Sequence, residues 1–492
     1  MFLLLEYVTI KSAEFFVYKH KLENKKIEEI KNKLKNFLLE GSQSWILEYP
    51  HNYFINKNSI VDNAILLHLR YKGVIEQDRT FDVKDVNRLN ELITWNNLKY
   101  ISDLIKNDSN EIFLLTCKGN YGAVITNGTA ILGYGDIGTL AGLPVMEGKC
   151  VLFKVLGGAN FIPICIEEKN AKKFISIVQR ISLSFSAINL EDIKSPECFE
   201  IERTLIENIP YPVFHDDQHG TAVVVLAGII NALKLTKKKI ENVKIVMNGA
   251  GAAGLSVTEL LITCGAKRVI ICDTNGAIYA GRPYGMNEFK EKLSNFTNRE
   301  KESGKLEDVI KNADIFIGVS APGTLTKDMI RNMNRDPVIF ALANPIPEIL
   351  PHEAKSAGAL AVATGRSDFK NQVNNSMAFP GIFRAAIDTR SRKISIQMKI
   401  AASYALADLI SDEMLSPDCI IPDSLDTRIP VAVAKAVAFE SIKSGLATSK
   451  KIDENYVEDG IVGWILEDKL RNWSQVEKTK LEFFKNGLKT KF

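Results

Sequence analysis

Short, near-continuous apolar runs separated by stretches of helical period dominate the middle of this chain. From about residue 219 the alternation is regular: residues 244–247 (Lys-Ile-Val-Met) read as a strand, 255–263 have helical spacing, and 268–272 read as the next strand. Further strands are expected at 315–319, 338–342 and 360–363. Runs that lack polar alternation are buried on both faces, so this half predicts a parallel sheet covered on each side by helices. Between about residues 60 and 217, the runs 123–125 and 161–166 read as buried strands and 171–186 as a helix, which predicts a separate α/β domain. The apolar run 150–153 also reads as a strand. Residues 1–60 hold a helix-period stretch at 27–34 and few chemical candidates, and the Lys- and Glu-rich segment from about 450 reads as a surface helix or appendage. The expected organisation is an extension over 1–60, an N-terminal α/β domain over 61–218, a Rossmann-type doubly wound domain over 219–445, and a helical C-terminal extension that forms the charged tail over 446–492.

A length of 492 residues exceeds one typical core and agrees with two domains. The net charge of +3 gives no footprint for a polyanion, so nucleic acid is not expected as a partner. Seven cysteines with no Cys-x-x-Cys pair read as reduced thiols, which places the chain in the cytoplasm. The apolar start Met1 to Leu5 is interrupted by Glu6 and makes a poor signal peptide, and no run reads as long enough to span a membrane.

The first sharp motif is Asn248-Gly249-Ala250-Gly251-Ala252-Ala253-Gly254, which follows an expected strand, opens an expected helix, and precedes a second strand that ends in Asp273. That context turns a weak Gly-x-Gly-x-x-Gly signal into a Rossmann-type dinucleotide turn. Gly249 permits the turn, Gly251 lets backbone N–H groups approach a pyrophosphate, and Gly254 lets helix and strand pack closely. The field of the helix N-terminus adds roughly 0.3–1 kcal/mol per anionic group. Asp273 is expected to accept hydrogen bonds from the adenosine ribose and to repel a 2′-phosphate, so NAD is the expected cofactor and NADP the alternative.

Two acidic pairs, Glu191-Asp192 and Asp216-Asp217, fall at or just after apolar runs. Brought together they would repel, and a divalent cation is the usual remedy; oxygen donors without Cys or paired His point to Mg²⁺ or Mn²⁺. Taken alone, two acidic dipeptides are more often solvated loop charges. His215 and His219 read as structural or hydrogen-bonding groups, and Lys149 alone reads as a surface lysine.

These motifs lie within longer runs at 125–133, 144–149, 188–199, 213–222, 248–254, 341–348 and 364–381, and in that order the chain resembles a bacterial-type malic enzyme over about residues 60–445. The resemblance implies oxidative decarboxylation of malate to pyruvate and CO₂ with reduction of NAD or NADP. It also implies a cytoplasmic homo-oligomer of at least two chains. Carried over by motif, Glu191, Asp192 and Asp217 are metal ligands and Lys149 is the general base with Asp216 beside it. Asn344 and Asn374 match positions near substrate and nicotinamide, and Asn248, Ala252 and Ala253 belong to the cofactor turn. On this reading the Lys149 pKa is expected to fall from ~10.4 towards ~7–8 under a neighbouring dication.

The match breaks at one place. The family's Ala-Tyr-Thr/Ser-Pro-Gly-Val run, whose tyrosine donates a proton to C3 of the enolate, is absent, and an ungapped alignment puts Thr94 at the tyrosine position with Asn96-Asn97 replacing Pro-Gly. Threonine is a poor acid, and Tyr100 lies six residues further on. Losing a general acid costs ~10²–10⁴ in rate. Two readings stay open: a working enzyme with water, Lys149 or Tyr100 as proton donor, or a catalytically weak relative that binds nucleotide or metabolite in a regulatory role. A different Rossmann dehydrogenase, such as one acting on amino acids, leaves the two acidic pairs unexplained.

Overall fold

The computed structural model describes residue 75 and residues 93–131 and 134–449. The helix expected at 27–34, the whole of the 1–60 extension and the tail from residue 450 lie outside the described residues.

Two predominantly parallel sheets organise the described chain. The first holds β1 (Tyr121–Thr126), β2 (Asn160–Cys165), β3 (Ala187–Leu190) and β4 (Val213–His215) in the order β2-β1-β3-β4, with every pair parallel. Helices Thr139–Gly157, Ala171–Ile181 and Glu197–Asn208 make the crossovers that parallel pairing requires. The run 150–153, expected as a strand, lies inside the helix Thr139–Gly157. Its physical reason is visible in what the helix buries: Gly142, Met146, Cys150, Phe153 and Gly157 recur at three- and four-residue spacing, a stripe wider than the four-residue window can reveal.

The second sheet holds β5 (Lys244–Asn248), β6 (Arg268–Asp273), β7 (Gly276–Ala277), β8 (Ile315–Gly318), β9 (Val338–Ala341) and β10 (Ala361–Thr364) in the order β10-β9-β8-β5-β6-β7. All pairs are parallel except the short edge pair β6 and β7. The chain moves from β5 to β6 on one side and later to β8 on the other, so the strand order reverses beside β5. Ligands of open parallel sheets bind in the crevice at such a switch point, beyond the carboxyl ends of the strands. The strands expected here from apolar runs all appear, because full burial on both faces is what makes them continuous.

The helix Asp216–Thr236 joins the two sheets and packs against the helices Ala252–Thr263 and Ile396–Ala407. It is apolar nearly all round because it is surrounded by protein on most sides. By length and composition alone its 21 residues could cross a membrane, contrary to the sequence reading, but most of that surface is spent on the core.

Three later helices, Phe379–Asp388, Ile396–Ala407 and Ile429–Lys443, pack on one another, and the first of them reaches back to the first sheet. Phe153 stacks on Phe161 with ring centroids 3.7 Å apart, and Phe383 meets Phe153 edge-on at 5.1 Å and Phe214 at 5.6 Å. Buried Arg384 pairs with Asp388 and donates to Asn120 Oδ1 at 2.6 Å, just before β1. Phe383 therefore locks late chain onto early chain. Phe383→Ala is expected to lower unfolding free energy by about 3–5 kcal/mol, read as a drop in the urea midpoint at unchanged slope.

Candidate active site

The acidic pairs meet because β3 and β4 are neighbours in matched register. Leu190 is paired with His215, so Glu191-Asp192 and Asp216-Asp217 leave the sheet side by side at its carboxyl edge. Oxygen atoms of Glu191, Asp192 and Asp217 lie within 4.8 Å of one another. Asp192 adopts a left-handed backbone, φ 53°, which turns its N–H onto Asp217 Oδ2 at 2.8 Å. Aspartate tolerates that region better than most residues, and strain of this kind is characteristic of functional sites.

Lys149 reaches the cluster from the helix Thr139–Gly157. Its Nζ lies 2.5 Å from Asp216 Oδ2 and 3.0 Å from Glu191 Oε1, and 4.8 Å from the centre of the Phe379 ring. The side chain is 15% exposed, so it is not the surface lysine that its sequence context suggests. Burial pushes the Lys149 ammonium toward neutrality, but Asp216, Glu191 and Asp217 outweigh it and hold the pKa above the ordinary lysine value. The depressed value expected from sequence belongs to the site with a dication bound, whereas the raised direction is that of the carboxylates alone. Glu191 moves the opposite way from an ordinary ion pair: burial and the neighbouring Asp217, Asp216 and Asp192 raise its pKa well up, with Lys149 opposing only in part. The donor set of three converging carboxylates, short of positive charge, fits a hard divalent cation.

Further residues, which sequence reasoning placed elsewhere or missed, brace this cluster. Asn189 Nδ2 donates to Glu191 Oε2 at 2.8 Å. His215 Nε2 lies 3.2 Å from Asp217 Oδ2, and its backbone N–H donates to Glu202 Oε1 at 2.8 Å. Glu202 Oε2 in turn sits 2.9 Å from His219 Nε2. Burial raises the Glu202 pKa, but His219 and Lys399 outweigh it and bring it to about 2. His219 is thus a hydrogen-bonding support through its ring, while His215 bonds Glu202 through its backbone N–H and lays its ring against Asp217. Asn375 Nδ2 lies 3.3 Å from Asp216 Oδ2, and Thr221 donates to Asn375 Oδ1 at 3.1 Å. Its neighbour Asn374, singled out from sequence, accepts from the Ser376 N–H at 3.0 Å and caps a short turn. A pair of adjacent asparagines gives no signal as to which one meets Asp216.

At the second sheet, Gly249 closes the turn at φ 127°, and a Cβ there would stand 2.8 Å from Val319 O. A Cβ on Gly254 would meet Gly249 O at 1.9 Å, whereas Gly251 faces open space at the start of the helix Ala252–Thr263, which also carries Ala253. Asn248 donates to Ser320 Oγ at 2.8 Å and Thr324 Oγ1 at 3.2 Å, tying the turn to the loop after β8. Buried Glu348, unmarked in the sequence, accepts from the N–H groups of Ser320 and Ala343 at 2.9 and 3.0 Å and so cross-links the ends of β8 and β9. Asn344 is exposed beside Gly365.

Two sequence candidates lie on an exposed helix. Thr94 is the N-cap of the helix Trp95–Asn107, none of whose residues is buried, and Tyr100 on that helix is 66% exposed.

A doubly wound sheet with a glycine turn, beside a second parallel sheet that gathers carboxylates and a lysine at its strand ends, defines a dinucleotide-dependent oxidoreductase architecture. The family model "Malic enzyme, N-terminal domain" matches residues 81–206 and "Malic enzyme, NAD binding domain" matches 218–443. The chain is 48% identical over 389 residues to the bifunctional malic/malolactic enzyme of Bacillus subtilis, covering 79% of this chain and 95% of that protein. It is 46% identical over 361 residues to the NADP-dependent malic enzyme of Haemophilus influenzae, covering 70% of this chain and 47% of that longer protein. The crystal structure of malic enzyme from Pyrococcus horikoshii superposes with TM-score 0.77 at 41% identity, covering 84% of this chain and 96% of that one. The chain belongs to the malic enzyme family.

Asp273 ends β6 as expected, with Arg282 Nη2 at 2.5 Å and Lys290 Nζ at 2.7 Å from its Oδ2. Burial raises its pKa, but the hydrogen bonds from Arg282 and Lys290 outweigh it and hold it at about 2, against an ordinary 3.8. A depressed folded-state pKa contributes stability above the unfolded value that is lost as pH falls through the folded one. Asp273→Asn is therefore expected to destabilise by about 2 kcal/mol at neutral pH. Urea titrations of the two proteins should converge as pH falls from about 4 towards about 2.

Proposed function

We propose that the chain catalyses divalent-metal-dependent oxidative decarboxylation of malate to pyruvate and CO₂ with reduction of NAD or NADP. The observation that carries this reading is the Lys149 ammonium, held by Asp216 and Glu191 at the edge of a three-carboxylate cluster. Glu191, Asp192 and Asp217 are the ligands for Mg²⁺ or Mn²⁺. When bound, such a dication offsets the carboxylate charge that keeps Lys149 protonated, acidifies the substrate hydroxyl and stabilises enolate charge.

The chain's own residues do the rest. Lys149 takes the C2 hydroxyl proton, and the C2 hydride passes to the nicotinamide. The C3–C4 bond then breaks, CO₂ leaves, and C3 takes up a proton. Asp216 and Asn375 hold the Lys149 ammonium in place between these events. Gly249, Gly251 and Gly254, with Asn248, Ala252 and Ala253, form the pyrophosphate turn, and Asp273 belongs to its ribose end. Asn344 and Asn374 remain the substrate- and nicotinamide-facing positions carried by resemblance. Lys149 serves as the proton donor to C3, since Thr94 lacks a suitable acid and Tyr100 faces outward. The reading extends to a homo-oligomer of at least two chains in the cytoplasm, where all seven cysteines stay unpaired.

The second reading, a catalytically weak relative acting as a nucleotide- or metabolite-binding or regulatory protein, rests on the missing tyrosine run alone. Purified protein with malate, Mn²⁺ and either NAD or NADP separates the two. Metal-dependent reduction of the nucleotide, lowered about 10²–10⁴-fold by Lys149→Ala and unchanged by Tyr100→Phe, is the expected result. Tight nucleotide binding without malate-dependent reduction at any metal concentration gives the second reading instead.

A further inference from the structure

The doubly wound sheet has a cleft at the edge opposite the glycine turn. The turn follows the carboxyl end of β5, whereas β5 and β6 begin at Lys244 and Arg268, which are partners in register. The length of a strand, roughly 16 Å, separates the two edges, so a ligand at one does not meet a ligand at the other. At the amino edge, residues 244, 267–270, 298–300 and 302 line a cleft of about 170 Å³. At about 30 Å³ per water in the liquid, that is room for one small metabolite.

The wall of this cleft is cationic, and its charge is not compensated. Lys244 is its buried member: the side chain is 6% exposed, and Nζ donates to Glu302 Oε2 at 2.8 Å and to Lys311 O at 3.1 Å. That pair is balanced. Lys267, Arg268 and Arg299 are exposed on the same wall and, among the described residues, have no carboxylate partner. The nearby cations Arg282 and Lys290, by contrast, both pair with Asp273. Set against Glu300, the remaining acid of the wall, the three unpaired cations leave an excess of two positive charges.

The turn that carries Arg299 is held in place. Asn298, 5% exposed, takes a left-handed backbone at φ 42°, and its N–H donates to Val269 O at 2.8 Å. Its Nδ2 donates to Ile278 O at 3.0 Å and Glu302 O at 2.8 Å, and its Oδ1 accepts from the Glu302 N–H at 2.8 Å. One buried asparagine thus fixes the backbone on either side of Arg299 and Glu300. Preorganisation of this kind lowers the ordering cost of binding.

We propose that this cleft binds a small phosphate monoester, with Arg268 and Arg299 as the recognising guanidinium groups and Lys267 beside them. The dianion matches the two excess charges, and its three oxygens suit guanidinium forks that bind phosphate bidentately. A dicarboxylate of equal charge divides it between two ends. The site is separate from the nucleotide crevice, which lies beyond the carboxyl ends of the strands, so it stands or falls independently of turnover.

Calorimetric titration of the full chain with glycerol 3-phosphate tests it. The expected result is saturable binding that weakens as salt is raised and falls about tenfold or more in the double variant Arg268→Met, Arg299→Met. Thermal unfolding of the variant confirms a folded protein. Succinate, a dianion without phosphate, is expected to bind about tenfold more weakly. No saturable binding at millimolar glycerol 3-phosphate overturns the proposal. So does an affinity unchanged in the double variant, which places the anion elsewhere on the chain. Succinate binding as tightly as the ester overturns it too, since the cleft is then a general anion surface.

Discussion

Everything at the centre of this protein depends on the compensation of buried negative charge where β3 and β4 end. Four carboxylates leave two adjacent parallel strands at equivalent register, with the Lys149 ammonium among them. Ionised carboxylates in a low-dielectric site are costly unless paired, and one ammonium does not balance four of them. The surrounding structure is largely the answer to that imbalance. Asn189 and Asn375 donate to carboxylates, His215 lies against Asp217, and Glu202 fixes His215 through its backbone while engaging His219. Glu191 takes the remaining strain as an elevated pKa. A dication is the natural completion of such a set.

The same constraint ties the two sheets together. The helix Asp216–Thr236 begins with two of the site carboxylates and packs along the helix Ala252–Thr263, whose first turn is the dinucleotide turn. Chemistry at one sheet and nucleotide at the other are therefore set by the packing of two helices. That packing demands the apolar, mostly buried surface that also makes the first helix resemble a membrane span. The phenylalanines around Phe383 add a second tie, from the later helices back to the first sheet, and Phe379 from that group lies against Lys149.

A residue type at the right sequence position can still do different work once its neighbours are known. Asp273 has the identity and place of a ribose acceptor, yet Arg282 and Lys290, nine and seventeen residues further on, donate to its carboxylate. Lys149 has the identity of a general base, yet the carboxylates around it favour its protonated form. In both cases the decisive term is electrostatic and comes from groups distant in sequence, which no local pattern reports.

The sequence by itself determined the strands of the doubly wound sheet, the glycine turn with its strand and helix, and the types of residue able to bind a cation. Burial on both faces and backbone conformation leave local signatures of period and composition. Only the tertiary structure decided that residues 150–153 belong to a helix, because a four-residue apolar run is too short to show period. It alone chose Asn375 over Asn374 for contact with Asp216, and set Thr94 and Tyr100 on an exposed helix. The register of β3 against β4, which converts two scattered acidic pairs into one site, is likewise a property of strand pairing between segments more than twenty residues apart. Pairing and charge compensation are set by what folding brings within a few ångströms, and that distance is not written along the chain.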